Sequence, residues 1–183
     1  MASIGHVLVG AAVSRAYRTH QTPRWSSLAA ATIWAALAML PDADVLGFRF
    51  GVHYADPWGH RGATHSFVFA LMVAALAWLV GRATRLPPWR TAVAVAVAVV
   101  SHPLLDTMTD GGLGCALLWP FSDHRFFAPW RPIPVAPIGR AFLSARGLRI
   151  AATEVAAMAP FLIYALWPRR CRADAHGSSK AHR

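Results

Sequence analysis

The chain has 183 residues, of which 56% are hydrophobic and only 14% are charged, against roughly 25% charged for a soluble domain. This composition favours a membrane protein over a cytosolic one. The net charge of +10 does not indicate a nucleic-acid partner, because the basic residues lie between apolar runs and near the C-terminus and form no stripe interleaved with aromatic residues. We expect one membrane-embedded domain, residues 1–168, and a basic, disordered tail, residues 169–183.

The hydrophobic pattern predicts helices throughout. Residues 2–17 are mildly apolar and predict a short N-terminal helix. Four cleaner apolar runs follow at 26–40, 66–81, 91–106 and 150–167. The run 66–81 reaches about 24 Å at 1.5 Å per residue, slightly less than the roughly 30 Å of hydrocarbon. The expected fold is an all-α integral membrane bundle with about four transmembrane helices. Between the last two runs the chain is irregular, apart from a predicted interfacial amphipathic helix at 137–148.

Arginines indicate the orientation in the membrane. They cluster in the connections 15–25 and 82–90 and in the tail. The positive-inside rule places these three segments in the cytoplasm and the loops 41–65 and 109–148 outside. We therefore expect a multi-pass protein of the bacterial inner membrane with a cytoplasmic C-terminus. Cys115 and Cys171 then lie on opposite sides and cannot form a disulfide.

Four stretches that are distant in sequence place histidine or aspartate at the outer level of the membrane. Polar side chains there are costly unless they are paired, coordinated or hydrated. Together they form a nitrogen and oxygen ligand set that suits a divalent metal, zinc first, with manganese or iron as alternatives. The predicted ligands are His6, Asp42, Asp44, His60, His65, His102 and Asp106.

A metal held by these residues would support hydrolysis, because it polarises a phosphoryl oxygen and lowers the pKa of a bound water. Asp42 or Asp44 could serve as the base, and Arg61 could stabilise developing charge. Arg61 or Arg125 could bind a phosphate or carboxylate through its guanidinium fork.

Simpler interpretations remain open for each residue taken alone. Asp42 and Asp44 could belong to a turn, while Thr64 or Ser66 could cap the helix that follows. His102 and Asp106, four residues apart in the run 91–106, could form a hydrogen bond that only stabilises the structure. Glu154 could hold one of the ligand residues in place through a hydrogen bond, or simply face a neighbouring helix. His53, His124, His176 and His182 are not expected to be ligands.

These motifs resemble those of a known family. The quoted elements are Gly5-His6, Leu40-Pro41-Asp42-x-Asp44, His60-Arg61-Gly62-x-Thr64-His65-Ser66 and Ser101-His102-x-x-Leu105-Asp106-x-x-Thr109. Together they resemble the bacterial membrane-bound, metal-dependent hydrolases of the YdjM-like type, some of which are LexA-regulated. The His-x-x-x-Asp element is also similar to that of the all-helical zinc-dependent phospholipases C. That similarity implies that His102 and Asp106 are ligands and that Asp106 is a possible bridge. Asp42 or Asp44, with His60 or His65, would complete the cluster.

The sequence therefore predicts a metal-dependent hydrolase of a phosphoester, with a membrane lipid as a candidate substrate, at the outer face of the inner membrane. Two alternatives stay open. A transporter or sensor of divalent cations would use the same ligands without chemistry, and a structural or regulatory membrane protein would use the cluster as a stabilising polar network. The sequence does not determine the oligomeric state.

Overall fold

A computed structural model describes residues 3–18, 24–135 and 143–167. These residues form helices, and no β-strand occurs among them. The elements are α1 (Ser3–Tyr17), α2 (Arg24–Ala38), a 3₁₀ helix (Leu40–Phe50), a second 3₁₀ helix (Ala63–His65), α3 (Phe67–Ala83), α4 (Pro88–Thr107), α5 (Ala145–Ala157) and α6 (Ala159–Leu166). The all-α prediction is confirmed for this part of the chain. The predicted tail 169–183 and the first half of the predicted helix 137–148, residues 137–142, lie outside the described residues, while residues 145–148 of that helix form the start of α5.

The bundle has two distinct ends. At one end, which we call the site end, the first turn of α1 meets the last turn of α4, where His6 lies 3.4 Å from Asp106. At the other, which we call the arginine end, α1 finishes against the start of α4. There the Tyr17 and Thr91 hydroxyls are 2.7 Å apart, and Arg90 donates to the Tyr17 carbonyl at 2.5 Å. The chain therefore crosses from one end to the other within α1 and again within α4.

Small residues hold the helices close together. The buried core between α2, α3 and α4 consists of Trp34, Ala38, Ala70, Val95, Ala98 and Val99. Alanine lets helix backbones approach closely, which is how helices associate where no water is present to drive burial. Gly10 does the same between α1 and α2, because a Cβ at this position would lie only 2.6 Å from the Trp34 carbonyl oxygen.

The described residues contain fewer clear membrane spans than the four that the sequence predicted. Among the described residues, α4 alone is a single helix long and apolar enough to cross a membrane. Two bent helix pairs, Leu28–Ala38 with Leu40–Phe50 and Ala145–Ala157 with Ala159–Leu166, would raise the number to three if each formed one span. Helix α3 is apolar but has 17 residues, about 25 Å at 1.5 Å per residue. A membrane bundle is consistent with this structure, whereas four spans are not confirmed.

Prolines explain why two predicted runs are broken. The first run was expected to stay helical to residue 40, but α2 ends at Ala38 and Pro41 lies in the first turn of the 3₁₀ helix. The two axes differ by 56°. The last run bends by 66° between α5 and α6, where Pro160 occupies the first turn of α6. Proline has no N–H to donate and its ring clashes with the preceding turn, so an uninterrupted helix is disfavoured at both places.

The irregular segment 108–135 closes over the site end. Two isolated bridges fix it, one between Thr109 and Ile133 and one between Cys115 and Phe126. It also contacts the loop before α3, because the Ala116 N–H donates to the Arg61 carbonyl at 2.9 Å. The segment therefore forms one wall of the site described next.

Candidate metal centre

The predicted ligands converge at the site end of the bundle. His6 comes from α1, the two aspartates from the first 3₁₀ helix, two histidines from the loop and turn before α3, and one histidine and one aspartate from α4. The group comprises His6, Asp42, Asp44, His60, His65, His102 and Asp106, all buried. Distances between imidazole nitrogens and carboxylate oxygens within it range from 2.8 to 3.7 Å. The structure thus brings together residues separated by as many as 100 positions, while their binding of a metal stays a prediction.

The imidazole of His102 is fixed in one orientation. Its Nδ1 lies 2.7 Å from the carbonyl oxygen of Ala38, so Nδ1 must carry the donated proton. In the neutral ring the lone pair is then on Nε2, which lies 3.2 Å from Asp42 Oδ1. Two acceptors facing each other at this distance repel unless a proton or a cation lies between them. Metal-bound histidines are typically held this way, with the other ring nitrogen donating to a carbonyl or carboxylate.

His65 repeats the arrangement. Its Nδ1 lies 3.2 Å from Asp44 Oδ2, and its Nε2 lies 3.7 Å from oxygens of both Asp42 and Asp106. Burial lowers the pKa of His65, but the neighbouring carboxylates of Asp42 and Asp44 outweigh it, so the pKa is raised above its usual value. Carboxylates therefore surround this imidazole on the Nδ1 and Nε2 sides.

Asp44 acts as the hub that orients the histidines. Its carboxylate accepts from His60 Nδ1 at 2.8 Å, from the Thr64 hydroxyl at 2.8 Å and from the Arg61 N–H at 3.2 Å. With the contact to His65 Nδ1, the two oxygens have four neighbours that can donate. Thr64 therefore serves this carboxylate and does not cap α3. The capping prediction holds for Ser66, whose hydroxyl accepts from the Phe69 N–H at 3.1 Å.

Four side chains form the best-defined ligand group. One ligand atom from each of Asp42, His65, His102 and Asp106 can be chosen so that all lie within 4.8 Å of one another. Among the described residues, both Asp42 oxygens and the Nε2 atoms of His65 and His102 have no hydrogen-bond partner. Buried polar atoms without partners are rare in folded proteins and need an explanation. A divalent cation would supply it, and two imidazoles with two carboxylates suit zinc, manganese or iron. A second group, Asp44, His60 and His65, also meets the distance test, but its members already bond to one another.

His6 lies beside the four-residue group. Its ring stacks on His102 with a centroid distance of 3.6 Å, and its Nε2 points to Asp106 Oδ1 at 3.4 Å. The sequence left the role of Glu154 open, and the structure shows that this residue accounts for the position of His6. The buried Glu154 carboxylate of α5 accepts from the backbone N–H groups of Ile4 and Gly5 at 2.9 and 3.3 Å. It thereby holds the N-terminus of α1, the turn that carries His6.

The two arginines predicted to bind substrate are already engaged. Arg61 is completely buried; its Nε lies 2.9 Å from Asp106 Oδ2, and its terminal nitrogens donate to Thr109 and Gly111 at 2.9 Å. Its φ is +65°, a left-handed conformation that costs a non-glycine residue on the order of 1 kcal/mol or more. Arg125 donates to backbone carbonyls in the loop 54–60. Both therefore hold the site together here, and their predicted contact with substrate stays untested.

Other parts of the site were not found from the sequence as functional groups. Thr109 and Gly111 position Arg61, and only the Asp106-x-x-Thr109 spacing gave a signal. The Ala38 carbonyl carries no signal in sequence, because any residue offers one. Asp110, four residues after Asp106 and beyond the end of α4, lies outside the cluster, and its carboxylate accepts from the Val135 N–H at 2.7 Å. His53, which was not expected to be a ligand, is exposed.

Fold and site together define an all-helical protein with a membrane-length helix and a buried histidine–aspartate cluster able to hold a metal ion. The sequence profile of the YdjM inner membrane protein family matches residues 1–171. The chain belongs to this family, as its motifs suggested. It is 55% identical over 102 residues to the inner membrane protein YbcI of Escherichia coli (strain K12). That match covers 55% of this chain and 59% of the relative, so the chain spans less than two thirds of that relative's length. No solved structure matches the chain.

Proposed function

We propose that this protein is a metal-dependent hydrolase of a phosphoester, with a membrane lipid as the preferred substrate class. The observation that carries the proposal is the set of buried oxygen and nitrogen atoms in the four-residue group that have no hydrogen-bond partner. In His65 and His102 the Nδ1 side faces an oxygen of the protein, so both Nε2 atoms turn towards carboxylates that accept no hydrogen bond from them. That arrangement fits a cation and leaves acceptor atoms repelling one another without it.

The residues of the site have different roles in the proposed reaction. A bound divalent cation supplies a Lewis acid that polarises a phosphoryl oxygen. Asp44 orients His60 and His65, and its lone pairs are occupied by donors, so it is not the proton acceptor. Asp42 is 5% exposed, and both of its oxygens lack a hydrogen-bond partner. In the proposal, Asp42 Oδ1 faces the ligand histidines and Oδ2 takes the proton of the attacking water.

The orientation in the membrane is part of the proposal. The connection 82–90 at the arginine end carries three basic residues and no acidic one, which supports a cytoplasmic position under the positive-inside rule. The site end then faces the periplasm, with several membrane passes and a cytoplasmic C-terminus. A reporter fused after residue 183 tests this orientation, since alkaline phosphatase there would stay inactive and green fluorescent protein would fluoresce.

Turnover of phosphodiesters by the purified protein tests the proposal. The substrates are bis-p-nitrophenyl phosphate and short-chain phosphatidylglycerol, measured with zinc or manganese, after chelation and after metal is restored. The expected result is hydrolysis that is lost on chelation, restored by metal and abolished in Asp42→Asn. The matched control is His53→Ala, which removes an imidazole that is 87% exposed and should retain full activity. Metal binding without turnover of either substrate would count against a phosphoester hydrolase.

Burial of the cluster favours a second candidate, a structural metal site. His6, His65, His102 and Asp106 are each 0% exposed, and structural metal sites are closed whereas catalytic ones keep an open position. In that case the metal would raise the midpoint of thermal unfolding, and Asp42→Asn would lower it without changing any turnover. Proton acceptance by Asp42 predicts instead that Asp42→Asn loses turnover per bound metal ion, beyond any loss of metal or stability.

A further inference from the structure

The arginine end carries a pocket that the metal centre does not use. It lies at the turn between α3 and α4, has a volume of about 400 Å³ and is lined in part by Trp78, Arg82, Arg85 and Trp89. No acidic residue is among its lining residues. The Arg82 guanidinium lies 5.2 Å from the centre of the Trp78 ring, and that ring lies 5.8 Å from the Trp89 ring. Two cations and two indoles therefore share one concave surface.

Two apolar grooves adjoin this pocket. The first lies between α1 and α4, has a volume of about 420 Å³ and shares Trp89 with the pocket. The second lies among α2, α3 and α4, has a volume of about 400 Å³ and shares Leu86 with it. Both grooves are lined mainly by aliphatic and aromatic side chains, including Val93 and Val97 in the first and Leu37 in the second.

We propose that this surface binds one anionic phospholipid, with the phosphate against Arg82 and Arg85 and the acyl chains in the two grooves. Guanidinium groups pair with phosphate through charge-assisted hydrogen bonds, and indoles are favoured at the level of the headgroups. A soluble phosphate would fill the pocket alone, whereas the two adjoining grooves fit a ligand with two hydrocarbon chains.

This lipid site is separate from the metal centre. Pro88 and His102 both lie in α4. They are 14 residues apart, which corresponds to about 21 Å along the helix axis at 1.5 Å per residue. The pocket therefore contacts the leaflet opposite the one proposed to face the catalytic group. A lipid held there acts as a bound structural ligand and not as the substrate, and the proposal does not depend on any hydrolytic activity.

Native mass spectrometry of the detergent-solubilised full chain tests the proposal. The probes are phosphatidylglycerol, phosphatidylcholine of the same chain length, and glycerol phosphate without chains. We expect one phosphatidylglycerol per chain to survive detergent removal, with weaker retention of the other two. Each arginine near a lipid surface changes affinity about five-fold, so Arg82→Gln with Arg85→Gln should weaken phosphatidylglycerol binding about 30-fold.

Control variants separate charge, groove and folding. Arg49→Gln removes an exposed arginine near the opposite end and should leave lipid binding unchanged. Val93→Trp fills the first groove and should weaken phosphatidylglycerol without changing binding of glycerol phosphate. The midpoint of thermal unfolding reports folding, and Arg85→Gln alone replaces the double variant if that variant is unstable. Equal retention of phosphatidylcholine, or unchanged binding in the arginine variants, would overturn the proposal, as would glycerol phosphate binding as tightly as the lipid.

Discussion

Removal of the Glu154 carboxylate should weaken a metal centre that it never touches. Glu154 is 1% exposed and accepts from the backbone of Ile4 and Gly5. In Glu154→Ala a partly buried and a buried N–H group lose their acceptor, at a cost of about 1–3 kcal/mol for each group that is left unsatisfied. Because water can enter the vacated space, we expect a total loss of about 2–4 kcal/mol in the free energy of unfolding. Glu154→Gln keeps an acceptor and loses the charge at the helix N-terminus, so we expect about 1 kcal/mol.

The effect on metal affinity should pass through His6. The N-terminal turn of α1 places His6 Nε2 3.4 Å from Asp106 Oδ1, and loss of an outer partner of a metal site typically weakens affinity 10–100-fold. Glu154→Ala should therefore weaken zinc binding by about that factor, measured by competition with a chromophoric chelator. In a His6→Ala background the same substitution should change affinity little, because coupled residues give non-additive effects.

Two results would refute this reasoning. If Glu154→Ala weakens zinc equally with and without His6, the carboxylate acts through general stability and not through α1. If His6→Ala alone leaves zinc affinity unchanged, His6 has no part in the site. Thermal unfolding with and without zinc, recorded for each variant, separates loss of folding from loss of binding.

Further predictions concern the supports of the site. Arg61→Leu removes the guanidinium that lies 2.9 Å from the buried Asp106 carboxylate and should cost about 3–5 kcal/mol, measured by denaturant unfolding; a variant with normal stability would contradict the ion pair. Gly10→Leu should separate α1 from α2 and lower the thermal midpoint, whereas Gly51→Ala, with nothing near its added Cβ, should show only the cost of its positive φ. Burial raises the pKa of the Cys115 thiol, so a Cys171→Ser protein should resist maleimide at neutral pH until it is unfolded; rapid labelling of the folded protein would contradict that burial.

The sequence was informative about the site because polar residues in an apolar chain are conspicuous. His102 and Asp106 stand out in α4, since an intramembrane polar group is costly without a partner. Their convergence with His6 and Asp42 could be expected from membrane level alone. The separate roles of Asp42 and Asp44 could not be predicted, since the two residues are equivalent in sequence. Only the geometry shows that Asp44 is surrounded by donors whereas Asp42 is not.

The spans were harder to predict than the site. Hydropathy gives the length of an apolar run but not its breaks, and the bends after Ala38 and at Met158 follow from local proline chemistry. Arg61 shows a second limit. A guanidinium in a polar motif at a membrane boundary suggests substrate binding, yet its partners, Thr109 and Gly111, lie about 50 residues away. Contacts of that kind depend on the packed loop 108–135, for which no periodic pattern exists.

Metal content measured by inductively coupled plasma mass spectrometry tests the central claim most directly. The protein is purified after growth with zinc and manganese, alongside His102→Ala and the exposed control His53→Ala. We predict at least one ion per chain in the wild type and in His53→Ala, and loss of that ion in His102→Ala. A wild-type protein without stoichiometric metal, or undiminished metal in His102→Ala, would contradict the account.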